Sequence, residues 1–175
     1  TFVGSFKEDQ LKPLIEKYIA SLPSANKKFS YTDNKVRPVK GKVNLNVYKG
    51  TEQKALSLVL YHGEIPYSED LELKAEAISE ILNIKIIEEL REKIQGIYGG
   101  GIYAKLEKLP YAHYSFFLQL PCGPEKIETL LFAVNKEIED IKNYGPSQAN
   151  LDKVKQQLRK EHKTNTKDNV TWRTA

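Results

Sequence analysis

Leu90-Arg91-Glu92-Lys93-Ile94-Gln95-Gly96-Ile97-Tyr98-Gly99-Gly100-Gly101 is where one kind of structure gives way to another. An apolar-periodic helix runs into Arg91, Gly96 stands where a helix cap would, and Tyr98 falls at the start of an expected strand. That order places a last-turn cation and a phenol hydroxyl near one corner of the fold. Arginine keeps its charge and offers a planar fork of donors, and tyrosine, with a pKa of about 10, keeps its proton at neutral pH. Such a pair can grip a peptide carbonyl and hold a developing oxyanion. Losing one such donor typically costs about 10²–10³ in kcat, roughly 3–4 kcal/mol. On spacing alone a structural reading stands beside this one. Arginine in a last turn complements the helix dipole, and tyrosine is common in strands.

Upstream, Ser68 is a good N-cap, followed by Glu69, Asp70 and Glu72 at the positive helix end. Leu71, Ala75, Ile78, Ile81 or Leu82, Ile86 and Leu90 then predict a long helix to about Lys93, with Asn83 a point where it could break or bend. Before it, Val43, Leu45 and Val47 alternate with Asn44, Asn46 and Tyr48, the pattern of a half-buried strand. A turn around Lys49-Gly50-Thr51-Glu52 leads to a second strand, residues 54–62, expected to pair antiparallel with the first. Its nearly continuous apolar run predicts a strand covered on both faces or central in its sheet.

Downstream, residues 97–106 and 111–121 read as a β-hairpin around Glu107-Lys108-Leu109-Pro110. Ala112, Tyr114, Phe116, Leu118 and Leu120 are expected to face the core. Gly99, Gly100 and Gly101 predict a bulge or the close approach of another backbone, which would suit a peptide running past. They do not form a phosphate loop, because they follow a helix and open a strand. Pro124 opens an amphipathic helix through Ile127, Leu130, Leu131, Val134, Ile138 and Ile141, stopped by Tyr144-Gly145-Pro146. Ser147 caps a last helix with Leu151, Val154 and Leu158.

At the other end, Thr1 to Gly4 reads as the tail of a strand. Glu8 or Asp9 would cap a helix through Leu22, ended by Pro23. The expected organisation is the end of a β-α unit over residues 1–23, a linker over 24–42, and an α+β domain over 43–175, cut short at its C-terminus. The expected architecture is a two-layer α+β sandwich, an antiparallel sheet with helices on one face.

A chain of 175 residues, 40 % hydrophobic and 29 % charged, is long enough for a real core. Its apolar runs are too short to cross a bilayer as a helix. The net charge of +4 comes from 27 basic residues interleaved with 23 acidic ones. That is a solvated surface, not a stripe for nucleic acid. The one cysteine, Cys122, shares the parity of Leu118 and Leu120 and is expected to be a buried structural thiol. Of the histidines, His62, His113 and His162, no two stand at helical i, i+4 spacing. Glu161-His162 has Leu158 where an H-x-x-E-H motif needs its first ligand. No metal site is therefore expected here, and no nucleophile elbow is present.

Taken together, several stretches resemble the pitrilysin/insulinase family of zinc peptidases, the inverzincins. These are Val3-Gly4-Ser5-Phe6 with Leu11-Lys12-Pro13-Leu14-Ile15-Glu16-Lys17-Tyr18 and Leu22-Pro23; Tyr48-Lys49-Gly50 before the 55–62 strand; Glu89-Leu90-Arg91-Glu92-Lys93-Ile94-Gln95-Gly96-Ile97-Tyr98-Gly99; and Asn169 with Trp172. The resemblance implies a metallohydrolase-like half, the zinc-free one of two homologous halves that close on a peptide. The other half would carry H-x-x-E-H, a distal Glu and the zinc. Tyr98 would then stabilise the tetrahedral intermediate, and Arg91, with Gly99 and Gly100, would hold the substrate backbone, which in this family adds as a strand to a sheet edge. No cofactor is expected in this chain. By itself it is expected to be inactive, and the resemblance to bacterial relatives implies a periplasmic parent. Two alternatives stay open: a non-catalytic peptide-binding or assembly module of the same family, and an unrelated α+β binding protein.

Overall fold

In the computed structural model the described residues are 2–28, 30–95, 97 and 99–169. They fall into two units, Thr1–Thr32 with Gln157–Ala175, and Asp33–Gln156. The elements in chain order are α1 (Glu8–Tyr18), β1 (Ala55–Glu64), α2 (Glu69–Ile86), a π-helical turn (Ile87–Lys93), β2 (Gly101–Glu107), β3 (His113–Cys122), a short 3-10 turn (Pro124–Lys126), α3 (Ile127–Tyr144) and α4 (Gln148–Asn165).

The larger unit is the expected α+β sandwich. Its sheet has three antiparallel strands in the order β1-β3-β2. In register, Val59 faces Leu118 on β3, and Leu118 faces Ile102 on β2. Helices cover one face. Leu82, Ile86 and Leu90 from α2 and the π-turn, with Leu130 and Val134 from α3, close over Ile97, Ile102, Leu118, Leu120 and Cys122. Leu118, Leu120 and Leu130 are wholly buried. Burying each such side chain contributes about 1.5–3 kcal/mol. Cys122 lies in this cluster as expected, and burial pushes its thiol pKa up, the acidic Glu125 adding to the shift.

Helix α2 begins as read. Ser68 Oγ accepts from the Leu71 amide at 3.1 Å, beside Glu69, Asp70 and Glu72. Its buried stripe differs at one place. Ile78 points outward, and Ser79 takes the buried position, with Oγ donating to the Glu76 carbonyl at 2.8 Å. The helix neither breaks nor bends to a stop at Asn83; regular α-helix continues to Ile86 and then widens into the π-turn. The Ile94 amide bonds back five residues to the Glu89 carbonyl at 3.0 Å, the spacing that defines that widening. Gly145 (φ 73) ends α3, its amide on the Ile141 carbonyl, and Ser147 Oγ accepts from the Asn150 amide before α4, both as expected.

Four expected features of the strands and first helix are corrected. Residues 43–48 form no strand, and Leu45 is 84 % exposed. Alternation shows which side chains could share a face, but a strand exists only when a neighbour accepts its ladder, and β1 pairs with β3 instead. β1 is therefore an edge strand, neither central nor covered on both faces. Leu56, Leu58 and Leu60 lie exposed on the helix-free side while Val59 packs inward. In the smaller unit, residues 2–4 form no strand, and Lys7 takes the N-cap position of α1, leaving Glu8 and Asp9 in its first turn. Thr1 and Trp172 lie outside the described residues.

Candidate functional site

The corner identified in the sequence forms where the π-turn hands over to β2. Leu90 is buried, which fixes the turn against the sheet, and Arg91, its neighbour, is exposed. Glu89 and Lys93, four residues apart, pair at 2.7 Å. That contact, a hydrogen bond from Lys93 first of all, lowers the Glu89 pKa. Among the described residues the exposed Arg91 side chain has no hydrogen bond or ion pair.

Beyond the turn the chain reverses. Gln95 takes φ 51, and its carbonyl accepts from Lys126 Nζ at 3.0 Å, an anchor to the start of the next helical stretch. Gly96, expected as the cap, and Tyr98, the expected oxyanion donor, both lie outside the described residues. Ile97 makes an isolated bridge to Cys122.

The two candidate glycines are not alike. Gly100 has φ +97, and a Cβ there would lie 2.1 Å from the Gln119 carbonyl oxygen and 2.9 Å from Pro121 Cδ. The backbone that approaches Gly100 is that of β3 in this same chain, so its glycine identity is accounted for without a passing peptide. A Cβ on Gly99 would meet nothing within 4 Å, so that side is open. No bond joins Arg91 to Gly99 or Gly100 among the described residues.

A second cluster escaped sequence reading. Arg37 grips Asp33 through two hydrogen bonds, 3.0 and 2.5 Å, and lies over the Tyr111 ring with its guanidinium carbon 3.4 Å from the centroid. Tyr111 stacks on His113 at 4.3 Å. His113 Nδ1 donates to the Tyr111 carbonyl at 2.8 Å, and Nε2 is 3.2 Å from Glu107 Oε2. The Asp33 carboxyl is held down to about 2, first by its bond from Arg37 and then by the Lys35 amide. These groups tie residues 33–37 to the β2–β3 turn. No local motif could announce them, because the partners lie more than seventy residues apart in sequence.

Among the described residues no three His, Cys, Asp or Glu side chains come together to hold a metal. His62, His113 and His162 lie on β1, β3 and α4. No helix among the described residues is long and apolar enough to cross a membrane.

A family model described as the peptidase M16 inactive domain matches residues 1–158. No curated protein matches the sequence. Among solved structures the chain is similar to the periplasmic protease PqqL from Escherichia coli, at 18 % identity and a TM-score of 0.80, over 97 % of this chain and 19 % of that one. It is also similar to a mutant of the ferredoxin protease FusC in complex with Arabidopsis ferredoxin, at 17 % identity and a TM-score of 0.65, over 95 % of this chain and 18 % of that one. The chain thus spans about a fifth of the length of these structures, and at such identities the likeness is one of fold.

Proposed function

Because this chain belongs to the peptidase M16 family, as a domain of the inactive type, we propose that it is the zinc-free, substrate-gripping half of a peptidase clamp. The observation that carries this reading is Arg91, exposed and with no side-chain partner among the described residues, next to the buried Leu90 and inside a family match that runs from residue 1 to 158. The partner would be a homologous half bearing H-x-x-E-H and zinc. This chain offers no donor set for that ion among its described residues, so its part lies with its own side chains.

Arg91 would offer parallel N–H donors to a carbonyl of a bound peptide. Tyr98, seven residues on, would donate its hydroxyl to the oxygen on which charge builds during attack. Gly99, bare on its open side, would let the peptide backbone lie close. By kinship with the Escherichia coli neighbour, a periplasmic setting is the one we propose for the whole protein.

The test is reconstitution. The chain alone should cleave no peptide. Mixed with a homologous half carrying an intact H-x-x-E-H motif, it should support hydrolysis. In that mixture Arg91→Ala or Tyr98→Phe should lower kcat/KM by about 10²–10³. Unchanged kcat/KM in both variants rejects the assigned roles. Peptide binding with no hydrolysis under any pairing would instead favour a non-catalytic module.

A further inference from the structure

Asn83 does something other than interrupt its helix. Its side chain holds one residue of β2 by both backbone groups. The Ile102 amide donates to Asn83 Oδ1 at 2.8 Å, and Asn83 Nδ2 donates to the Ile102 carbonyl at 3.0 Å. The N–H and C=O of one strand residue point to the same side, so both bonds lie along one edge of the strand. Ile102 has Leu118 of β3 as its cross-strand partner, and Asn83 satisfies the remaining edge. A primary amide presents one donor and one acceptor with the spacing of a peptide group, so it can stand in for a neighbouring strand.

An independent observation concerns the residue beside it. A Cβ on Gly101 would lie 2.6 Å from Asn83 Oδ1. Any side chain at that position would push the amide off Ile102. Asn83 and Ile102 are 19 residues apart in sequence. The segment between them includes buried Ile86 and Leu90, exposed Arg91, and Gly99 and Gly100. Ile102 is buried, as is Leu82 next to Asn83, so each end of this segment lies beside a core residue.

We propose that Asn83 is a positioning residue that ties the segment bearing Arg91, Gly99 and Gly100 to β2, and that Gly101 is glycine because Asn83 occupies its side-chain space. Asn83 touches no substrate in this assignment. It sets where the π-turn stands relative to the start of β2, and so the place from which Arg91 reaches out. The catalytic consequence rests on the proposed function above; the clamp itself does not.

The experiment uses the intact polypeptide with Asn83→Leu, Asn83→Asp, Gly101→Ala, and Asn83→Ala alone and combined with Gly101→Ala. Residue-resolved amide exchange is read first. Asn83→Leu keeps the volume and removes both bonds, and should speed exchange at Ile102 and at its neighbour Gly101 by at least about tenfold. Exchange in β1 should stay as it was, whereas a merely structural side chain would raise it throughout. Asn83→Asp keeps an acceptor for the Ile102 amide and should recover part of the protection. Gly101→Ala attacks the clamp from the sheet side, so it should reproduce the Asn83→Ala pattern, and the double variant should be no worse than either single. Unchanged exchange at Ile102 in Asn83→Leu, or full additivity of Asn83→Ala with Gly101→Ala, would overturn the inference. In the reconstituted enzyme Asn83→Leu should lower kcat with KM held within about twofold. If exchange changes as described while Arg91→Ala leaves turnover intact, the clamp stands and the proposed function falls.

Discussion

At the outer edge of β2, the amide and carbonyl of Ile102 are both bonded to Asn83. At the outer edge of β1, the ten residues from Ala55 to Glu64 have β3 on one side and no strand among the described residues on the other. The two edges belong to one small sheet, and both strands pair with β3. One is capped at Ile102 by a side chain from α2, and the other has no such cap among the described residues, with Leu56, Leu58 and Leu60 exposed beside it. An unsatisfied edge invites another chain, and a capped one does not. The candidate corner, with Arg91, Gly99 and Gly100, leads into that capped residue. A group that must meet a peptide at a set distance gains from being anchored, because misplacement by about 1 Å can cost two orders of magnitude in rate.

The largest expected effect strikes both edges at once. Leu118 is wholly buried in β3, the strand they share. Leu118→Ala should destabilise the domain by about 2–5 kcal/mol, read by denaturant unfolding. Next is Arg91→Ala, which should leave that unfolding curve in place while lowering kcat/KM of the reconstituted enzyme by about 10²–10³. The glycines divide more sharply. Gly100→Ala puts a methyl against the Gln119 carbonyl at a φ of +97 and should cost about 1–3 kcal/mol. Gly99→Ala meets open space and should change stability by no more than about 0.5 kcal/mol. Equal costs at the two positions would dissolve the distinction between an internal contact and an open side.

At the open edge effects should be as small as at Gly99. Leu58, 54 % exposed on the helix-free face, can become Ser with a change of about 0.5 kcal/mol or less. A much larger loss would mean that this face is covered in solution. The smallest effect is electrostatic and confined to acid. Asp33 titrates at about 2 in the folded chain, against 3.8 for a free carboxyl. A lowered folded value means that its contribution is present above 3.8 and is lost as pH falls toward 2. Asp33→Asn should flatten that part of the acid limb of stability, followed by circular dichroism, and leave neutral pH little changed, since the pair is solvent-screened.

The helices were the most legible part of the chain. Ser68 with its acidic first turn, Pro124, Gly145 and Ser147 are local signals, each acting on the backbone within a few residues, and each stands where it was read. The hairpin from β2 to β3 was legible for the same reason, since its turn lies between its arms. Val43–Tyr48 was not. Its alternation of apolar and polar residues is as clean as that of any strand here, yet pairing depends on what lies alongside, which periodicity does not encode. The apolar run of β1 misled in the same way. Period-two burial is hidden within it, and only the helices packed on one face of the sheet show which leucines face out.

The candidate corner divides along that line. The order of residues from Leu90 to Gly101 is enough to place a cation and a phenol within one helix-to-strand passage, because helix termination and strand entry are local events. Which glycine is held by β3 and which side chain caps Ile102 are settled by groups distant in sequence. Asn83 reads as a helix interruption until Ile102 is brought beside it, 19 residues on. Hydrogen bonds and close contacts act over a few ångströms of space whatever the separation along the chain, so only the folded molecule could assign them.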